Sequence, residues 1–244
     1  MYVAEKNLTF IEHLAELRNR LVVIAVSVLV GTIVSFLFVE QLTALVLEPA
    51  KDLQFVYLSP PELFLAYIRM SLVVGITVTS PIILVQIWSF VQPGLIKKEK
   101  IYLSIALIAG VFFFMLGVVF AYVVILPLTI EFFVGMRHQD IEPMFSMGNY
   151  VGFISSILLS FGLVFEMPTV VVILAQLGLI RASTLRKNRK FVYLAIVVAA
   201  AVLSPPDVVS QFLLAGPMVL LFELSVAVAA LIERRKIKQG TLSE

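Results

Sequence analysis

Cysteine is absent from the 244 residues, which excludes disulfides, thiolate metal sites and cysteine nucleophiles together. Histidine occurs twice and tryptophan once, so imidazole-based metal binding or acid–base catalysis has almost no material. Charge is equally scarce: Asp, Glu, Lys and Arg make up 14% of the chain, against about 25% in an ordinary soluble domain. The sequence contains no His-Glu-x-x-His, no Gly-x-Ser-x-Gly and no phosphate-cradling glycine-rich loop. Neither His13 nor His138 falls inside a long apolar run. These absences argue against an enzyme and imply neither metal nor cofactor.

What is present is apolar. Hydrophobic residues are 61% of the chain, Phe alone contributing 19, which is the composition of a polytopic membrane protein. Long apolar runs bounded by charge or by Pro and Gly lie near 21–39, 68–91, 101–126, 150–179, 191–204 and 209–232. The expectation is therefore an all-α protein with six transmembrane helices in a single integral membrane domain, 1–244. The fifth run has about 14 residues and spans roughly 21 Å, short of a roughly 30 Å hydrocarbon core. It is either a short span in a thinned membrane, with the sixth also short, or a buried or re-entrant segment.

Segment 6–20 holds three Lys or Arg, 97–100 three, 181–190 five and 234–238 four, or 15 of the 18 in the chain. Six crossings put all four segments on one side, and the positive-inside rule makes that side, with both termini, cytoplasmic. Five crossings would strand the 234–238 cluster outside. These loops are short and membrane-adjacent, so their charge follows from insertion topology and implies no nucleic acid.

The polar amino-terminal stretch contains three Glu, and no small-residue cleavage pattern follows the apolar run, so a removable signal peptide is not expected. It reads instead as a helix entering span one. Thr9 and Glu12 have capping-box spacing, and Phe10, Leu14, Leu17 and Leu21 recur on one side. Glu12, Glu16 and Arg20 follow at four-residue steps, which predicts a Glu16–Arg20 ion pair.

Ionisable residues at membrane depth are costly and are functional candidates by default. Glu166, in Phe161-Gly162-Leu163-Val164-Phe165-Glu166-Met167-Pro168, is the deepest. It must be protonated, paired, or facing water or a partner; one alternative is a neutral Glu bonded to backbone that Pro168 frees. Gln211 and Glu223 in span six are twelve residues apart and lie at different depths. Glu223, nearer the cytoplasmic end, either pairs with a span-end Arg or Lys or contacts a substrate. Pro81, Pro93, Pro127 and Pro168 mark breaks that would curve the wall. A small-solute or proton-coupled transporter built around Glu166 is the alternative function at this point.

His13-Leu14-Ala15-Glu16-Leu17-Arg18-Asn19-Arg20-Leu21 resembles the amino-terminal motif of the TatC family, the multi-spanning core of the twin-arginine protein translocase. Four further pieces agree in order. Ser80-Pro81-Ile82-Ile83-Leu84 with Gln86, Trp88, Phe90 and Pro93, then Lys97-Lys98-Glu99, is similar to the family's second span and first cytoplasmic loop. Phe161-Gly162 through Pro168 is similar to its fourth span. Ser204-Pro205-Pro206-Asp207 with Ser210-Gln211, then Leu221-Phe222-Glu223, is similar to its end. The resemblance implies a multi-pass receptor in the plasma (inner) membrane of a prokaryote. Such a receptor binds twin-arginine signal peptides and, with the proton-motive force, exports folded proteins. It implies that Glu16 and Glu99 read the arginines, and that Phe90 and Pro93 shape the first cytoplasmic loop. Arg18 and His13 would support the amino-terminal helix, Glu166 would be a polar point on a concave membrane face, and Pro49 and Phe64 would match outer positions. Gln211 and Glu223 would meet small single-span subunits of TatA or TatB type, the whole forming an oligomer in the lipid bilayer.

Overall fold

The computed structural model describes residues 10–51, 53–91, 97–135, 144–203 and 208–238. The amino-terminal amphipathic stretch and the first apolar run form one continuous helix, α1 (Phe10–Phe36). The expected cap Thr9 lies outside the described residues. A short helix α2 (Val39–Leu47) and a strand β1 (Gln54–Val56) lead to α3 (Pro60–Val91). Next come α4 (Lys97–Phe120), a π-helical turn (Ala121–Ile125) and α5 (Leu126–Gly135). Strand β2 (Met144–Ser146) precedes α6 (Met147–Phe165) and α7 (Met167–Gln176). The chain closes with α8 (Ala182–Lys187), α9 (Arg189–Leu203) and α10 (Val208–Lys238).

Five stretches are long and apolar enough to cross a bilayer: Ile11–Phe36, Pro60–Phe90, Ser104–Gly135, Met147–Gln176 and Gln211–Arg234. The fifth apolar run forms helix α9, with 15 residues or roughly 22 Å, which is short for a crossing as the sequence suggests and consistent with six membrane helices. Helix α10 is not the short sixth span expected: its apolar stretch Gln211–Arg234 alone has 24 residues, roughly 36 Å and enough to cross, and the helix runs on through the basic residues to a total of 31.

Proline chemistry accounts for the interruptions. Pro127 cannot donate to the carbonyl four residues back, and the π-helical turn just before it widens the helix to accommodate the ring. Pro168 does the same to the fourth span, which breaks at Glu166 into α6 and α7. Pro81 and Pro217 are carried within continuous helices.

Lipid tails are as apolar as leucine, so these helices associate by close packing and internal hydrogen bonds. Gly31 on α1 and Gly75 on α3 make this visible. A Cβ on Gly75 would lie 2.6 Å from the Thr32 backbone nitrogen, and one on Gly31 would lie 3.0 Å from the Gly75 carbonyl oxygen. Helix α1 otherwise turns Leu21, Val22, Val26, Leu29, Val30 and Ile33 outward, a surface that only lipid or another apolar helix can cover. The main core is built by Ile157, Phe161 and Phe165 of the fourth span with Ile196 and Ala200 of α9 and Leu214, Met218, Phe222 and Val226 of α10.

The outer end is tied by polar groups. Tyr122 and Tyr150 donate to the carbonyls of Leu45 and Val46, at 2.8 and 3.0 Å, which meets the acceptors left open at the end of α2. Strands β1 and β2 pair in parallel, Phe55 opposite Phe145. Glu62 in the first turn of α3 accepts from the Leu58 and Gly148 N–H groups, at 2.6 and 3.0 Å, and from the Ser146 hydroxyl. Ser146 also caps α6 by accepting from the Asn149 N–H.

Candidate functional site

The helices alternate in direction, so the start of α1, the end of α3, the start of α4, the α7–α9 turn and the end of α10 share one end. That end carries the basic segments. On it lies a groove of about 460 Å³ between α1 and α3, lined by Glu12, Ala15, Glu16, Asn19, Arg20, Val23 and Gln86. An acidic lining on an otherwise basic face is unusual, and the groove's polar geometry is specific.

The Glu16–Arg20 ion pair forms as the spacing predicts. Arg20 Nε donates to Glu16 Oε1 at 3.0 Å, and Nη2 donates to the same oxygen. Arg20 Nη1 donates to Gln86 Oε1 at 3.3 Å, which ties the pair to α3. Glu16 Oε2 is buried and has no hydrogen-bond partner among the described residues; His13 Nδ1 approaches it only to 3.7 Å. His13 stacks on Phe90, ring centroids 4.2 Å apart and planes 15° apart. Glu16, His13 and Phe90 are thus brought together where the start of α1 meets the end of α3. Arg18 is exposed on α1 and, two residues on from Glu16, is not brought into the groove. Glu99 lies in the first turns of α4 at the same end; its side chain is outside the described residues, as are Pro93 and Ser204–Asp207.

Glu166 occupies the break between α6 and α7 and is only 8% exposed. Neither of its carboxylate oxygens makes a hydrogen bond of good geometry among the described residues, although the Thr169 hydroxyl, itself without another partner there, lies close enough to interact with it. The carboxylate rests against the bare backbone of Gly110 on α4, where a Cβ would meet Oε2 at 3.0 Å. The freed-backbone partner that Pro168 suggests is therefore not used.

Glu223 and Gln211 hold α9 onto α10. Glu223 accepts from Arg189 Nη2 at 2.6 Å and from the Tyr193 hydroxyl. Gln211 Nε2 donates to the Val197 carbonyl at 3.1 Å. Glu233, one helical stretch further on, accepts from the Ala182 N–H at the start of α8, at 3.0 Å. Of the two readings open for Glu223, pairing with a basic side chain is the one realised within this chain.

The outer tie at Glu62 and the Tyr193 contact go beyond the sequence-based expectation. Ser59-Pro60-Pro61-Glu62 does have capping-box spacing, a signal that could flag Glu62 as a helix-start residue. Arg189 and Tyr193 stand four residues apart on α9, the spacing at which two side chains share one partner.

A family model described as Sec-independent protein translocase protein (TatC) matches residues 12–217. The Sec-independent protein translocase protein TatC of Desulforapulum autotrophicum is 37% identical over 95% of this chain and 88% of its own length. That of Aquifex aeolicus is 35% identical, over 92% and 96%. TatCd of Bacillus subtilis is 32% identical over 97% of this chain and 98% of its own. Two crystal structures of the twin-arginine translocase receptor TatC superpose on it. The first has a TM-score of 0.81 at 35% identity, covering 91% of this chain and all of the other. The second, in DDM, has a TM-score of 0.83 at 34% identity, covering 89% and 99%.

Proposed function

This chain belongs to the TatC family of Sec-independent protein translocase proteins, and from that premise we propose that the groove between α1 and α3 is where it reads the paired arginines of a signal peptide. It is the receptor subunit of the twin-arginine translocase, a multi-pass protein of the prokaryotic inner membrane and not an enzyme. The observation that carries the reading is Glu16, a carboxylate held at the mouth of an acidic groove on the basic, cytoplasmic end. Guanidinium is planar, permanently charged and forked, so fixed carboxylates distinguish it from lysine's point charge. Glu16 supplies one acceptor from α1 and Glu99 a second from the start of α4. Phe90 backs this end of α1 through its stack on His13, and Arg18 and Pro93 are assigned to the same binding role by the resemblance of their motifs.

The small single-span subunits, TatA or TatB type, dock along the α9–α10 edge near Gln211 and Glu223. Because α9 is held to α10 by those same residues, their intrachain bonds set the shape of the docking edge. Glu166 is the polar point of the membrane wall. Few charges line the interior, so folded cargo passes through an assembly made on demand, driven by the proton-motive force, and not through a pore within one chain. The transporter alternative rests on Glu166 alone, whereas the family supports the receptor.

Complementation tests the reading. A translocase-deficient cell given this chain with matched small subunits exports a folded reporter bearing a twin-arginine signal. Failure of export with a correctly inserted chain would overturn it.

A further inference from the structure

We infer that Arg20 is an internal occupant of the signal-arginine site: it holds Oε1 of Glu16, and a substrate arginine must displace it, leaving it on the Gln86 bond that it already makes. The inference rests on the receptor reading above and deepens it.

Three observations carry it. First, Arg20 and Glu16 are incompletely matched. A guanidinium and a carboxylate pair best as two parallel bonds using both oxygens. Here Nε and Nη2 crowd onto Oε1, and Oε2 is left buried without a partner among the described residues. Second, the groove is lined by Arg20 and Gln86 together with Glu16, so the open side of Glu16 is the side that Arg20 occupies. Third, Gln86 Oε1 already accepts from Arg20 Nη1 at 3.3 Å. A released Arg20 therefore keeps an acceptor on α3 and is not left as an unpaired, largely buried charge. The exchange is between like partners: one guanidinium leaves Glu16 as another arrives, and the carboxylate is never left bare.

Selectivity follows from this competition. A guest arginine is not tethered to α1, so once Arg20 withdraws and uncovers the carboxylate it can approach in the parallel, two-oxygen orientation, whereas Arg20, four residues away on the same helix, places both donors on Oε1. A guest lysine offers one compact ammonium and cannot recover what the two Arg20 donors give up. Arg20 thus lowers the affinity for every cationic guest but lowers it most for lysine.

The test measures binding of two synthetic peptides, one with consecutive arginines and one with lysines in their place, to the full-length protein in lipid nanodiscs. In Arg20→Gln the arginine peptide is expected to bind about fivefold tighter, the worth of one partly exposed ion pair no longer displaced. The lysine peptide gains more, so discrimination falls. Arg20→Lys retains the charge but loses the fork, and its discrimination also falls; a wild-type ratio in this variant would reduce the effect to bulk charge and overturn the inference. Gln86→Leu removes the landing acceptor and weakens arginine-peptide binding about threefold in the wild-type background, but has no effect once residue 20 is Gln. Weaker or unchanged arginine-peptide binding in Arg20→Gln would contradict the inference, as would an equal Gln86→Leu effect in both backgrounds. If the wild type itself fails to distinguish the two peptides, the receptor reading falls and the inference with it. Retained discrimination in wild type, lost in Glu16→Ala, keeps the receptor reading whatever Arg20 does.

Discussion

Gly75→Ala should loosen the α1–α3 crossing and, through it, the recognition groove. The added Cβ would sit 2.6 Å from the Thr32 backbone nitrogen and 2.9 Å from its Cα, where ordinary contact begins near 3.4 Å. Backbone atoms cannot rotate aside, so α1 must withdraw locally by about 0.8 Å, the difference between those distances. Overpacking of this kind costs about 1–3 kcal/mol. Little offsets it, because the opposite face of α1 is turned to lipid. Arg20 lies eleven residues from Gly31, roughly 17 Å along the helix, so a withdrawal at the crossing moves Glu16 and Arg20 relative to Gln86. The 3.3 Å bond between Arg20 and Gln86 has little slack for that movement. Thermal unfolding in detergent, followed by the fluorescence of the single Trp88 on α3, measures the loss. Gly216→Ala is the control: it too lies within a helix, but a Cβ there meets nothing within 4 Å, so that variant should be neutral or slightly more stable. Thr32→Ala should not rescue Gly75→Ala, since the closest clash is with backbone. If Gly75→Ala proves as stable as Gly216→Ala, or trimming Thr32 restores it, the close-crossing account is wrong.

Other consequences can be checked in the same preparations. Glu166→Met fills the same slot beside Gly110 without a buried, unpartnered carboxyl, so it should raise stability by about 1–2 kcal/mol while lowering export of a folded reporter; unchanged export would remove Glu166 from function. Glu223→Leu strands Arg189 and should cost about 1–3 kcal/mol, whereas Tyr193→Phe, which leaves the Arg189 bond intact, should cost about 1 kcal/mol or less, both read as shifts in unfolding midpoint. Glu62→Ala removes two acceptor contacts, to Ser146 and Gly148, that join the start of α3 to the start of α6, and a third, to Leu58, that closes the turn before α3. It should lower the unfolding midpoint while leaving peptide binding at the opposite, cytoplasmic end unchanged.

Much of the fold was legible because a bilayer leaves few options. Apolar length marked the helices, and the placement of fifteen basic residues fixed their direction. Proline likewise announced the breaks at Pro127 and Pro168, but Pro81, also expected to mark one, is carried inside continuous α3, and Pro93 lies outside the described residues. The ion pair of Glu16 with Arg20 was legible because both partners lie on one helix at a fixed spacing. Contacts between distant segments were not. Nothing local in three-residue strands foretells that Gln54–Val56 will pair with Met144–Ser146, or that Glu62 will meet Gly148. Glu166 was recognisable as deep and costly, but its resting place depends on a glycine in another helix, Gly110, whose significance is invisible until α4 and α7 are packed. The stack of His13 on Phe90 joins two residues that the family resemblance named separately, and only the fold makes them one feature.

Capture of a signal peptide by Glu16 and Glu99 is the centre of the account. A folded precursor with a photoreactive group beside its two arginines should crosslink to the wild-type protein in membranes. In the Glu16→Ala, Glu99→Ala double variant, inserted at the same level, the arginine-dependent crosslink should be lost. Undiminished, arginine-dependent capture by that double variant would contradict the account.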